Sequence, residues 1–467
     1  MSLEFKRTII ALLSLLLLAS LVIVSWVEGG KQRFAPESTL AISADNQSCV
    51  NCHNESTPSI VAQWEGSHHA ELGVGCLECH LAEEDDIDAF RHEGQTIATI
   101  VTPLDCAKCH AEITEEFTAS HHASAGNILG SLDNVLGEII EGMPAAANGC
   151  QQCHGSKVAF QHDESGEIRR NSSGIPMFDP STWPNTGIGR INLDGSVGTC
   201  SACHSRHAFS TAVSRQPDNC GKCHMGPDHP QIEIYNESKH GIAFRAQVDE
   251  MALDSDTWVV GEDYTAAPTC ATCHMSATRE LPITHDPGKR LTWTLRPPVS
   301  TRMEDWESKK QDMESVCRSC HAQGFVSNWY EQYDSAIDLY NRKFAEPGVA
   351  IMKALKDAGA ITPDPFDEHI EWVWFEVWHH EGRRARHGAS MQGPDYTQWH
   401  GFYEVAKHFY FKLLPEAREL AEGHPEAEAA IEEALSGVDH AWLKGMDDET
   451  KAEVRKFYED RYGQSGG

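Results

Sequence analysis

No cysteine in this chain of 467 residues is left over for a disulfide, because all sixteen fall in eight copies of the pattern CxxCH. Basic residues are scarce: 38 Lys and Arg face 70 Asp and Glu, for a formal net charge of −32. Such a surface repels nucleic acid and anionic lipid, so no nucleic-acid partner is expected. It suits a basic macromolecular partner, with solubility as the plainer explanation of the same charge. An anionic substrate would need a local cationic channel, whereas a neutral or cationic one would face no penalty.

The eight motifs are Cys49, Cys52 and His53; Cys76, Cys79 and His80; Cys106, Cys109 and His110; Cys150, Cys153 and His154; Cys200, Cys203 and His204; Cys220, Cys223 and His224; Cys270, Cys273 and His274; and Cys317, Cys320 and His321. Each has the chemistry of a c-type haem attachment site. Two thiolates add across the porphyrin vinyl groups, and the adjacent imidazole becomes the proximal iron ligand. A zinc knuckle or redox dithiol would be a fair reading of one CxxC pair. With 26 histidines in the chain, one directly after all eight pairs has a chance frequency of roughly one in ten billion, and the haem reading prevails. Eight covalently bound c-type haems are expected.

Residues 8–27 are almost wholly apolar and follow Lys6 and Arg7, enough for a membrane-crossing helix with the N-terminus inside. A cleaved signal peptide is the alternative, but Ser25-Trp26-Val27-Glu28 lacks small residues at the cleavage spacing. Either reading exports the haem-bearing part to the periplasmic side. The expected organisation is an anchor or signal segment at 1–28, a linker at 29–46, an octahaem cytochrome c domain at 47–324 and a C-terminal helical bundle at 325–467. The fold class is mainly α, loop-rich where porphyrins replace the side-chain core and haem-free at the end.

Several segments carry clear local signals. Residues 155–199 are rich in Gly, Pro, Ser and Asn and read as an extended loop. From Phe325 the apolar residues recur at three and four: Val326, Trp329, Tyr330, Tyr333, Ile337, Tyr340 and Phe344, until Pro347-Gly348 interrupts the run. A second helix is predicted from Phe366 to about Arg386, a third from about Thr397, and shorter charged ones at 425–436 and 449–462.

Iron that shuttles electrons takes a second axial imidazole, and iron that does chemistry keeps a vacant position. Seven such distal ligands are needed, and the candidates are His69, His92, His122, His207, His240, His285 and His380. His424 and His440 lie in acidic surface helices and are expected to be solvated.

The stretch Cys220-Gly221-Lys222-Cys223-His224-Met225-Gly226-Pro227-Asp228-His229-Pro230-Gln231 resembles the segment bearing the distal acid–histidine pair of the octahaem hydroxylamine oxidoreductase family. Similar too are Trp183-Pro184-Asn185-Thr186-Gly187-Ile188-Gly189-Arg190, the run from Cys200 to His207, and the block from Gly393 to Glu404. The likeness runs from about residue 47 to 420. It implies that the fourth haem, on Cys150, Cys153 and His154, is catalytic, with Asp228 and His229 as proton-handling groups above it. It also implies a homotrimer in which a tyrosine from a neighbouring subunit is bonded to that porphyrin; Tyr396 is the first choice and Tyr403 the reserve. On residue type alone Asp228 is equally a turn acid ahead of Pro230, and Tyr396 an ordinary interface aromatic.

No motif ends in CxxCK, the lysine-ligated form of the pentahaem nitrite reductases and some octahaem reductases, which argues against those groups. The expected activity is oxidation of hydroxylamine to nitric oxide or nitrite, with electrons passing through the other haems to a cytochrome c or a membrane quinone-linked carrier. A reductive relative acting on nitrite or hydroxylamine, and a conduit with every iron doubly ligated, stand as alternatives.

Overall fold

The computed structural model describes residues 41–128 and 135–463. The expected membrane span at 8–27 lies outside these residues, as does most of the linker. Among the described residues no helix is long and apolar enough to cross a membrane. Of the described residues 57% are helical, a mainly α fold. Among the described residues the sheet is a single hairpin, Phe90–His92 with Gln95–Ile97, turned by Glu93 and Gly94 at φ 46° and 89°. A two-residue turn with both φ positive matches the twist of the paired strands.

Two compact units are present. The first comprises residues 41–101 with 162–177 and 204–210; the second comprises 102–161, 178–203 and everything from Thr211. Within the first, the buried apolar residues are few: Val50, Val61, Ala70, Ala89, Phe90 and Ile100. So little side-chain volume does not make an independent core, as expected where porphyrins occupy the interior. The buried Asn46 side chain supplies order instead, donating to Glu78 and accepting from the Leu77 amide at 2.9 Å, which ties the helix Ala44–Ser56 to the second motif.

The second unit holds a conventional core in its C-terminal helices. The run that starts with Gln323–Tyr340 continues through a π turn, Asn341–Ala345, into Glu346–Asp357. Val326, Tyr330, Tyr333, Ile337, Tyr340 and Phe344 are buried along it, as their spacing predicts. The expected interruption at Pro347-Gly348 does not occur. Proline inside an α-helix lacks an N–H and crowds the carbonyl four residues back, but here the wider π turn directly precedes it and accommodates both. Gly348 lies against the Trp374 ring, where a Cβ would overlap it.

The second predicted helix spans His369–Phe375, a π turn Glu376–Glu381 and Gly382–Ser390; the third runs from Pro394 to Leu420 with π turns at Gln398–Tyr403 and Phe409–Leu413. Ile337, Ile351, Leu355, Ile370, Val377, Phe409 and Leu413 are completely buried among them, each contributing about 1.5–3 kcal/mol. Helices Pro425–Ala434 and Asp448–Tyr462 follow. His440 is not solvated as expected but buried, its Nδ1 3.0 Å from the Tyr410 hydroxyl.

Helix packing here is tight enough to invert an ordinary propensity. Alanine normally stabilises a helix interior by about 1 kcal/mol over glycine, yet a Cβ on Gly382 would overlap the buried Tyr340 ring. Gly382→Ala is therefore expected to destabilise by about 1–3 kcal/mol. Gly437→Ala, with open space around it, should leave the denaturant midpoint of the far-ultraviolet circular dichroism signal unchanged. Equal midpoints for the two variants would contradict this packing.

Candidate haem and catalytic site

A single helical turn places residues i, i+3 and i+4 on one face, and that geometry brings two thiols and an imidazole together. The motifs form such turns at Leu77–His80, Cys150–His154 and Cys270–His274, and at the start of the longer helix Pro103–Ala119. Capping boxes start two of them: Thr102 with Asp105, and Thr269 with Thr272. His110 leaves helical geometry at φ −115°, ψ 46°, which kinks the helix at the motif's imidazole. Several motif imidazoles have Nδ1 already occupied: His53 by Thr57 Oγ1 at 2.8 Å, His80 by the Ala98 carbonyl at 2.9 Å and His274 by the Pro287 carbonyl at 3.2 Å. A ring so held presents Nε2 to a metal. The donor set fits c-type haem.

The motif sulfurs, which stand for thioethers once haem is attached, approach one another in a definite order. Cys49 meets Cys76; Cys106 meets Cys200; Cys153 meets Cys223; and Cys220 meets Cys270. Cys203 lies within electrostatic reach of Cys220, and Cys273 of Cys317. The first and second motifs are therefore neighbours in one unit. In the other, the third reaches the fifth, the fifth the sixth, and the sixth both the fourth and the seventh, which leads on to the eighth.

Several candidate distal histidines lie where a shared iron would require them. Two ring nitrogens at about 2 Å from one metal place their ring centroids roughly 6 Å apart. His92 lies 6.2 Å from His53, His240 6.2 Å from His321, and His122 6.0 Å from His224. His207 is within electrostatic reach of His80, and His285 of His110. His285 is positioned by Glu116, which accepts from its backbone amide and from Thr284 at 2.6 Å and pairs with Lys289. His69 packs edge-on against Phe209, 5.2 Å away. His380 instead contacts Glu376 at 2.8 Å and packs against Phe375. Burial pushes His122 down to about 4 and His224 to about 3, and a neutral imidazole is the form that binds metal.

Beyond the sixth motif the chain turns at Gly226, φ 100°, and enters the helix Gln231–Glu237, whose Glu233 accepts from the Gly226 amide at 3.1 Å. On this turn Asp228 Oδ1 lies 2.6 Å from His229 Nδ1, while Oδ2 takes an ion pair from Arg383 Nη1 at 2.9 Å. Burial alone would raise the Asp228 carboxyl, but the hydrogen bond and charge of His229, together with His379 and Arg383, hold it far below the usual carboxylate range. Both Asp228 and His229 act electrostatically on His154, as does Arg296. Under the fourth motif the segment from Trp183 to Arg190 packs backbone against backbone. Ile188 and Gly189 donate to the carbonyls of Cys153 and His154 at 3.0 Å, and a Cβ on Gly187 would overlap the backbone at Gly155.

Three residues of this neighbourhood carried no sequence signal: Arg383, His379 and His387. They sit on the π turn Glu376–Glu381 and the helix Gly382–Ser390, which are buried on most faces. His387 is buried, its Nε2 without a protein hydrogen bond, and Arg386, Arg383, His229 and His224 act on it; burial first and these charges next push it down to about 3. Tyr396 lies in the short helix Pro394–Thr397, its ring 5.4 Å from His400, and burial with the charges of Glu233 and Glu237 raises its phenol. Tyr403 is about half exposed and packs edge-on against Trp399.

Residues 194–365 match the family described as seven times multi-haem cytochrome CxxCH, and residues 105–174 match cytochrome c554 and c-prime. The chain is 26% identical over 364 residues to a probable nitrite reductase-hydroxylamine oxidoreductase fusion protein of Kuenenia stuttgartiensis, covering 68% of this chain and 38% of that one. It is 29% identical over 191 residues to the C-type polyheme cytochrome OmcC of Geobacter sulfurreducens, covering 37% and 22%. It thus spans about two fifths and one fifth of the lengths of these two curated relatives. Among solved structures it is similar to a hypothetical multiheme protein, with a TM-score of 0.74 at 25% identity over 84% of this chain and all of that one. It also shares its fold with the Kuenenia stuttgartiensis reducing HAO-like protein complex Kustc0457/Kustc0458, with a TM-score of 0.59 at 20% identity over 83% and 87%. Motifs, fold and relatives agree: the chain is a multihaem cytochrome c, similar to hydroxylamine-oxidoreductase-like proteins and built to carry covalently bound c-type haems.

Proposed function

We propose that the chain is an octahaem oxidoreductase that takes electrons from hydroxylamine at the haem held by Cys150, Cys153 and His154. Seven further haems would pass them to a cytochrome or a quinone-linked carrier on the periplasmic side. The observation that carries this reading is the Asp228–His229 contact beside His154. Haem at this position would supply the redox chemistry. His229 would receive the protons released as the substrate is oxidised, and Asp228 would hold the ring that receives them.

The distal assignments that follow are His92 for the first haem, His207 for the second, His285 for the third and His240 for the eighth; His69 stays a candidate without an assigned haem. His122, 6.0 Å from His224 and acting on His274, and His387 are taken for the sixth and seventh, in preference to His229, whose ring lies 6.3 Å from that of His224 but is engaged by Asp228. His387 thereby takes the place given to His380 from sequence. No distal imidazole is assigned to the fourth, where His229 is engaged by Asp228. The order of motif sulfurs supports a continuous path from the fourth haem through the sixth to the eighth. Retention of residues 8–27 as an anchor, and a homotrimer in which Tyr396 reaches a neighbour's fourth haem, complete the reading.

Reduction of nitrite or hydroxylamine on the same scaffold is the second reading. Arg296 favours it, since its positive charge acts on His154 while Arg383 pairs the Asp228 carboxylate, and it would offset the repulsion of an anion by the acidic surface. The related structure titled a reducing HAO-like complex is in keeping with it.

Intact-mass measurement should exceed the polypeptide mass by eight haems, and carbon monoxide should bind the reduced protein at one of them. Absence of carbon monoxide binding would leave an electron conduit only. His229→Ala should lower kcat for hydroxylamine by about 10²–10⁴ with haem content unchanged; full turnover would remove His229 from the mechanism. Tyr396→Phe should abolish a cross-linked peptide joining residues near 396 to the one with Cys150 and Cys153, together with the unusual haem absorption. If the native protein yields no such peptide, the reductive reading replaces the oxidative one.

A further inference from the structure

The Asp228 carboxylate is held from both sides. Oδ1 lies 2.6 Å from His229 Nδ1 and Oδ2 lies 2.9 Å from Arg383 Nη1, so rotation about the carboxyl bond would break both contacts. Arg383 is fixed in its turn: its Nε donates to the Arg296 carbonyl at 2.8 Å and its guanidinium lies 5.2 Å from the Trp378 ring centroid. Its side chain is only 9% exposed. The planar guanidinium gives this hold direction as well as charge, which a point charge would not.

The state of His229 follows from its neighbour. Two lone pairs 2.6 Å apart would repel, so the contact selects the tautomer with the proton on Nδ1, although the ring is not turned to aim that N–H along the contact. A neutral imidazole has one donor and one acceptor nitrogen, and with the proton on Nδ1, Nε2 is left as an acceptor.

We propose that Arg383 is a positioning residue that acts through Asp228: by anchoring Oδ2 it fixes the carboxylate that keeps the His229 ring oriented, with Nε2 as its proton-accepting atom. This rests on the reading of Asp228 and His229 as the proton-handling pair of the fourth haem. The charged and titratable groups around the pair are His154, His224, His379, His387, Arg296 and Arg383. The cationic Arg383, on the helix Gly382–Ser390, is the one that touches Asp228 opposite His229.

The test is a double-mutant cycle with two readouts. Arg383→Gln is expected to lower kcat for hydroxylamine about tenfold to a hundredfold, with KM and carbon monoxide affinity within about threefold of the native protein. Arg383→Lys should recover part of the loss, because it restores the charge without the fork. Asp228→Asn should cost at least as much as Arg383→Gln, because the amide can donate to Nδ1 and so turn an N–H at Nε2 outward. In the Asp228→Asn background Arg383→Gln should add less than twofold. In the infrared, the C–O stretch of the carbon monoxide complex should move to lower frequency in Asp228→Asn, as an N–H replaces a lone pair beside the bound gas. In Arg383→Gln it should broaden into more than one band. Should Arg383→Gln not accumulate as folded protein, Arg383→Lys in the two backgrounds decides by the same cycle. An Arg383 variant with native kcat and a single native C–O band, or a loss of equal size in both backgrounds, overturns the proposal while leaving the haem assignment intact. A native protein that binds no carbon monoxide would instead overturn the underlying catalytic reading.

Discussion

Each haem must be gripped by two sulfurs and one imidazole from the same side, and one helical turn is the shortest backbone that does this. That constraint governs the haem-bearing part of the molecule. Because the grip needs only five residues, eight such turns can follow one another with hardly any regular structure between them, and the intervening segments are free to bring one motif's sulfur against another's. The contacts of Cys106 with Cys200 and of Cys220 with Cys270 arise in this way. The sparse apolar core of residues 41–101 follows from the same constraint, since a large flat macrocycle takes the volume that side chains fill elsewhere.

The haem motifs, the mainly α fold and the C-terminal helices were legible because each leaves a trace in the sequence: a five-residue pattern, a density of haem sites that replaces the side-chain core, an apolar stripe at three and four. What escaped was set by tertiary surroundings. Pro347 looks like a stop signal, and only the π turn before it lets the helix continue. His440 sits among acidic residues, yet its ring is covered by Tyr410 and Phe409. Near His380 the difficulty is one of phase, since the π turn Glu376–Glu381 slips the helical register and puts His379 rather than His380 among the buried residues.

The helix Gly382–Ser390 shows the limit most clearly. Its sequence, Gly-Arg-Arg-Ala-Arg-His-Gly-Ala-Ser, reads as a basic exposed helix, yet Arg383, Arg386 and His387 are buried. A helix enclosed on most faces has no polar side, so hydrophobic patterning has nothing to report. Buried arginines must then find partners. Arg386 does so structurally, with the Ser300 hydroxyl and the carbonyls of Pro297 and Gly382. Arg383 finds Asp228 and is thereby drawn into the candidate site.

This division of charge bears on which substrate the protein can admit. A net charge of −32 is a property of the solvated surface, where salt screens it over about 8 Å at physiological ionic strength. Inside, screening is weaker, and the field at His154 is set by Asp228, His229 and Arg296 in its immediate reach. Asp228 is already matched by Arg383, so Arg296 contributes positive charge that no carboxylate on this turn cancels. The acidic composition therefore does not by itself exclude an anionic substrate. Whether a neutral molecule or an anion is favoured beside His154 then turns on how far Asp228 and Arg383 neutralise each other, which makes their ion pair the place where the proposed nitrogen chemistry would be tuned.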